Sequence, residues 1–408
     1  RRCQNHSPEG YICRVRSERF TLILLSAINF TAIMDFMIMM PLGDELMEKF
    51  SLDSFEWSLV VSSYTFTAAV SALASIFLID KFDRKKSLLF LYAGFILGTL
   101  AVALSNTYET LLISRSVTGL FGGIINAVTL AIVSDLIPYE RRAAATGIIA
   151  AGFSAAAALG VPFGLYLGVT FNWHFPFYAI VGISSILWIV AARALPVLNG
   201  HLEEARENKR WDSLKNIFSD GNQLRALALM MVLIGGHFMI VPFLAPYMIT
   251  NVGFADTDLS YIYFFGGTAS IFTSPIIGRI ADKYGKKTIF LVVLLVSLIP
   301  IYFITNLGPT EIYVVLIITT VFFIFAGGRM APITAVVIST APPRFRGSFL
   351  SVRASMQNLA AGLAAVVSGM IVNLDSSGVY VGYDTVGLIS IGSGLATLPI
   401  LRFVVPKY

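Results

Sequence analysis

The chain has 408 residues, 56% of them hydrophobic and 13% charged, with a mean hydropathy of +0.77 and a net charge of +5. A soluble domain carries about 25% charged residues, so a chain this apolar cannot cover itself with polar surface in water and needs lipid as its solvent. The positive balance suits nucleic acid at first sight, but its placement along the chain excludes that reading, as shown below.

A bilayer core takes about 20 apolar residues per helix. Twelve such runs are present, at 20–43, 56–79, 87–105, 110–137, 143–169, 175–195, 224–250, 258–281, 288–306, 311–340, 348–372 and 385–404. They are long and unbroken, unlike the short alternating strands of a β-barrel. The sequence therefore predicts an all-α membrane protein. In chain order, a polar tail (1–19) carrying Cys3 and Cys13 leads into the first run, which is too long for a signal h-region and is expected to stay as an anchor. Of the 29 Lys and Arg, 25 lie in the tail, in or within three residues of the even-to-odd loops, or at the C-terminal end. Three more fall within helices, and only Lys49 lies on the opposite side. That asymmetry is the positive-inside rule and places both termini in the cytoplasm. The charge serves topology, and no nucleic-acid partner is expected. A disulfide is not expected in a cytoplasmic tail.

The first six runs form one unit (20–195) and the last six another (224–408), joined by a polar linker at 196–223. Its Lys209, Arg210 and Trp211 suit either a surface-lying segment or a solvated linker. The halves carry traces of a repeat. "FLIDKFDRKKSLLF" follows the second run and "GRIADKYGKKTIFL" the eighth, with Asp80 and Asp282 offset by 202. "PYERR" at 138–142 matches "PPRFR" at 342–346, and "DFMI" at Asp35 matches "HFMI" at His237. Two structural repeats facing a central pathway are expected.

"GRIADKYGKK" (Gly278 to Lys287) resembles the cytoplasmic loop motif of the major facilitator superfamily. The first-half copy has Ile76 and Asp83 where that motif has glycines. The resemblance implies two pseudo-symmetric six-helix bundles and a secondary carrier. It also implies a cytoplasmic gate of Asp80, Arg84, Asp135, Gly278, Asp282 and Lys286. In that gate Asp80 would cap the eleventh helix near Ser348 and Arg84 would bond Asp135. Ser339 stands opposite Asp135, so the gate would be asymmetric. The fifth run, with Gly152, Ala156, Gly160, Gly164 and Gly168 at every fourth position and Pro162 among them, resembles the helix motif of drug:proton antiporters. It is equally a close-packing face. Arg115, Gly119, Gly122, Gly123 and Asn126 in the fourth run resemble a further motif of those exporters.

A charge in mid-membrane costs from roughly 2.5–3.5 kcal/mol upward. Asp35 and Arg115 lie on antiparallel runs in the same membrane half and are expected to meet. Asp35 is the candidate proton-coupling carboxylate and Arg115 its tuning partner; a static buried ion pair is the alternative. One proton crossing 100 mV supplies about 2.3 kcal/mol. His237, Arg329, Asn126, Tyr64, Gln357 and Asn358 are substrate-cavity candidates, and Arg353 is expected to snorkel to the surface.

The sequence has no nucleotide-binding loop and no hydrolase or metalloprotease motif, and its four histidines are scattered. The expectation is a monomeric inner-membrane transporter, not an enzyme, with no cofactor or metal and with the proton gradient as its energy source. The leading expectation is efflux of a small amphipathic or drug-like molecule by alternating access. A carrier of a sugar, metabolite or lipid, or a transporter-like solute sensor, are the other readings.

Overall fold

The computed structural model describes residues 8–78, 81–138, 141–196, 198 and 210–407. Its helices are α1 (Pro8–Ile38), α2 (Gly43–Phe50), α3 (Ser54–Leu78), α4 (Arg84–Ala103), α5 (Tyr108–Leu136), α6 (Arg142–Ala155), α7 (Val161–Thr170), α8 (His174–Ala194) and α9 (Arg210–Ser219). They continue with α10 (Gly221–Thr250), α11 (Asp256–Tyr284), α12 (Lys286–Thr305), α13 (Ile312–Gly328), α14 (Met330–Ile338), α15 (Arg346–Ile371) and α16 (Tyr383–Phe403). Each of the twelve predicted runs lies on a helix. Spans one to four are α1, α3, α4 and α5; the fifth is α6 plus α7, and the sixth α8. Spans seven to nine are α10 to α12, the tenth is α13 plus α14, and the last two are α15 and α16. Eleven are long and apolar enough to cross a membrane. The eighth, 29 residues long, is more polar because Asp256 and Asp258 begin it and Arg279, Asp282 and Lys283 end it.

One part differs from expectation: the first helix begins at Pro8, inside the stretch read as a tail. Within the linker α9 forms, and exposed Trp211 rests its ring 5.4 Å from Phe77.

Local chemistry sets the helix ends. Asp83 caps α4 through Lys86 N–H, and its other carboxylate oxygen accepts from Leu198 N–H, both at 2.9 Å. The position where the family motif has a glycine thus makes its turn by capping. In the second-half copy Gly285 breaks α11 from α12 at φ +100, a backbone only glycine adopts freely. Thr107 and Thr110 form a capping box at the start of α5.

Within the first half, the spans pack as pairs 1–5, 1–6, 2–4, 3–4 and 3–6; the same pairs recur six spans later as 7–11, 7–12, 8–10, 9–10 and 9–12. Spans 2 and 11, and spans 5 and 8, join the halves. An even number of spans leaves both chain ends on one side, called here the terminal side. On the far side the halves are held together by Trp57, whose Nε1 donates to the Pro242 carbonyl at 3.1 Å. The reason is local. That carbonyl would normally accept from the residue four ahead, which is Pro246 and has no N–H. Trp57 fills the gap. Trp57→Phe keeps the ring but orphans the carbonyl, so a loss of about 1–3 kcal/mol is expected in thermal unfolding, with faster labelling of a far-side cysteine.

Candidate functional site

Asp35 and Arg115 meet as expected. Arg115 Nη1 lies 2.9 Å from Asp35 Oδ2, with the two side chains 1% and 0% exposed. Thr99 of span 3 donates to Asp35 Oδ1 at 3.0 Å. The guanidinium also sits 4.7 Å above the Tyr64 ring of span 2, which meets the Phe36 ring at a tilt of 36° with centroids 5.1 Å apart. The carboxylate is therefore satisfied as an anion by one cation and one hydroxyl, wholly out of solvent. Breaking such a pair by removing one partner leaves an uncompensated buried charge.

The small residues beside Arg115 explain its position. A Cβ on Gly119 would strike the Tyr64 carbonyl, one on Gly122 would come within 2.5 Å of the Tyr64 hydroxyl, and one on Gly123 within 2.7 Å of Ala68 Cα. Span 4 thus lies directly on the backbone of span 2 and carries Arg115 into the layer between spans 1, 2 and 3. Tyr64, expected in the substrate cavity, is instead buried in this layer because the glycine gap admits its ring.

The glycine stripe of span 5 is a packing face against span 1. Cβ atoms at Gly152, Gly160, Gly164 and Gly168 would meet Ser26, Met34, Ile38 and Leu42 respectively, a ridge with the same four-residue spacing. Between α6 and α7 the helix widens into a π turn over Ala156–Gly160, and Pro162 follows as part of the next turn. There Gly267 of span 8 crosses so closely that a Cβ on it would fall 2.6 Å from Ala158 Cα.

The other candidates are dispersed. His237 is half-buried, its ring 5.7 Å from Phe322, with no partner for its enclosed Nδ1. Arg329, 3% exposed, ends α13 and begins α14. It turns toward span 9, donating to Ser297 Oγ at 3.1 Å. Gln357 and Asn358 are half-buried. Asn126 is exposed and lines a cavity of about 470 Å³ between spans 2, 4 and 11, walled also by Ser75, Ser134, Ser351 and Arg353. Arg353 does not snorkel: the start of span 11 packs on span 2 and not on lipid, which turns this arginine into the cavity.

At the terminal side, Arg84 Nε and Asp135 Oδ2 pair at 2.9 Å, as the motif implies. Asp80 lies outside the described residues. Among the described residues Asp282 and Lys286 pair with each other, at 3.7 Å on an exposed surface, and a Cβ at Gly278 would meet nothing within 4 Å. Among the described residues this second-half copy forms no salt bridge to the other half. No group of three or more metal-ligating side chains occurs among the described residues. Thr99 and Ser297, which complete the buried sites, gave no sequence signal, since a lone hydroxyl in an apolar run is common.

Comparison with known proteins adds the following. The sequence model of the Major Facilitator Superfamily matches residues 25–365 and 226–407. A "Probable sugar efflux transporter" of Helicobacter pylori (strain P12) is 27% identical over 252 residues, 62% of this chain and 63% of that protein. The matched part thus spans less than two thirds of that relative. The "Uncharacterized MFS-type transporter YfhI" of Bacillus subtilis (strain 168) is 27% identical over 77% of each chain. Among solved structures, a D-xylose-proton symporter superposes with a TM-score of 0.77 at 14% identity, covering 95% of this chain and 98% of that one.

Proposed function

Because this chain belongs to the Major Facilitator Superfamily, whose members are multi-pass membrane transporters and not enzymes, we propose that it is a proton-coupled exporter of a small hydroxyl-bearing solute. The observation that carries the proton coupling is the buried Asp35–Arg115 pair. In this conformation Arg115 and Thr99 both bond the Asp35 carboxylate. When a proton neutralises the carboxylate, the attraction to Arg115 is lost and span 1 is freed to move against spans 3 and 4. Proton binding in one conformer and release in the other then couple the gradient to the motion. The distribution of Lys and Arg supports a cytoplasmic location for both termini, and the cavity at the terminal side then opens to the cytoplasm.

The solute class rests on the cavity wall, where Asn126, Ser75, Ser134 and Ser351 offer hydrogen bonds, and on the sugar efflux role named for the Helicobacter relatives. A second reading, an amphipathic drug-like solute, is favoured by the aromatic contact across the halves between Phe36 and Phe238, 5.9 Å apart. Proteoliposomes with an imposed pH gradient separate the two. Labelled hexoses and pentoses are expected to move against their gradients, with a lipophilic cationic dye unmoved. Movement of the dye alone would reverse the assignment.

A further inference from the structure

Neither the proton site nor the solute cavity uses α2, the eight-residue helix that links spans 1 and 2 on the far side. It is wedged between the two halves. Its Leu46 and Met47 are buried in the same core as Val252 and Phe254 of the second half. The Tyr380 hydroxyl, also of the second half, reaches Met47 Sδ at 3.6 Å. Gly43 packs so closely that a Cβ on it would lie 2.8 Å from the Trp57 ring and 3.2 Å from Pro246. Glu45 ties α2 to its own half, accepting from Trp173 N–H at 3.2 Å.

Asp44, in the first turn of α2 and half-buried, faces the seam between the halves. Around it stand Glu48 of its own helix, the Thr250 hydroxyl at the end of α10, Asp256 at the start of α11 and the Tyr380 hydroxyl. Tyr380, pushed up to about 12 by burial and then by the charge of Asp44, stays neutral. Lys49 of the same helix offsets Glu45 instead. Asp44 and Asp256, from opposite halves, therefore repel across the seam when both are ionised. Burial first, and then the charges of Asp256 and Glu48, raise the Asp44 carboxyl above its ordinary range, against the bond from Thr250. Separating the halves rehydrates Asp44 and takes Asp256 away, so the open conformer holds that proton less tightly. Closure is then favoured as pH falls. The contribution is complete below about 3.9, the ordinary carboxyl value, and is lost as pH rises through the raised one.

We propose that α2 is a far-side plug that seats more firmly against the second half when Asp44 takes up a proton, so that acid closes that side. In a carrier driven by protons from the far side, a proton then shuts that side behind the departing solute. The plug rests on the far-side interface alone and needs neither the solute class nor the coupling role of Asp35.

The test uses the full chain in phosphatidylcholine nanodiscs, with Cys3→Ser and Cys13→Ser, spin-labelled through Asn106→Cys and Asn306→Cys. Both asparagines are exposed at the far-side ends of spans 3 and 9. The far-side-open population is expected to fall roughly two- to fivefold from about pH 7.5 to about pH 4.5, the scale of one partly exposed charge pair. Asp44→Asn imitates the protonated form, so closure is expected to hold at both pH values and the response to vanish. Asp256 is exposed, so Asp256→Asn leaves the packing alone and is expected to weaken the response. Asp35→Asn is expected to keep it, which separates the plug from the proton-coupling carboxyl. Populations that ignore pH in the otherwise native protein, a response undiminished in either seam variant, or a response lost in Asp35→Asn would overturn the plug.

Discussion

In proteoliposomes energised by a proton gradient, Asp35→Asn is expected to abolish uphill transport while leaving solute exchange intact. Asparagine keeps the size of the side chain and mimics the protonated acid: its oxygen can accept from Arg115 while its amide donates to the Thr99 hydroxyl, so the mobile form of span 1 is retained. It cannot bind and release a proton. At 100 mV one proton supplies about 2.3 kcal/mol, worth a steady-state gradient of roughly 50-fold at about 1.36 kcal/mol per decade. That gradient should collapse to about 1. Arg115→Leu tests the same pair from the other side. It strands a carboxylate that is 0% exposed, at a cost of about 3–5 kcal/mol in stability. Asp35→Asn combined with Arg115→Leu leaves no charge behind, so its thermal midpoint should recover most of that loss. A double variant as unstable as Arg115→Leu would mean that the arginine acts by packing and not by charge.

Gly267→Val is expected to drive the protein out of the conformation described here. The side chain would meet the Ala158 backbone, with a Cβ 2.5 Å from its nitrogen, and backbone cannot rotate aside. Overpacking of this kind costs about 1–3 kcal/mol. Because the contact joins spans 5 and 8 of opposite halves, a conformer that separates them escapes the cost. The population should shift by roughly 5- to 150-fold. Distances between spin labels on the two halves would report the shift, and transport should slow because the cycle must revisit this packing. Gly182→Ala is the control: nothing lies within 4 Å of its Cβ. Equal label distances in Gly267→Val and wild type would show that spans 5 and 8 do not set the equilibrium between states.

What the sequence made legible follows from the solvent it demands. The twelve helices could be placed because lipid enforces unbroken apolar runs, and Asp35 and Arg115 stood out because charge is rare there. Counting residues along antiparallel spans put the two at one depth, which sufficed to anticipate their contact. Thr99 could not be anticipated, since its role depends on how span 3 is rotated about its axis. Arg353 was misjudged for a related reason. Nearness to a helix end suggested escape to the surface, but that end is packed against span 2. The glycines of span 5 announced close approach but not its partner, and the same spacing on span 1, from Ser26 to Leu42, became meaningful only once the helices were juxtaposed. The π turn over Ala156–Gly160 leaves no trace in periodicity. It is a backbone adjustment to the crossing of Gly267. Asp83 shows the converse: standing where the family motif has a glycine, it supplies a helix cap.

The account turns on a proton that comes and goes at one buried carboxyl group. Infrared difference spectroscopy of the protein in lipid, titrated across pH, reads that group through the carbonyl stretch of its acid form. A protonated-carboxyl band that rises and falls with pH in the wild type and is missing from Asp35→Asn is the predicted result. A band unchanged by the substitution, or no titrating band from this group at any pH at which the protein transports, would contradict it.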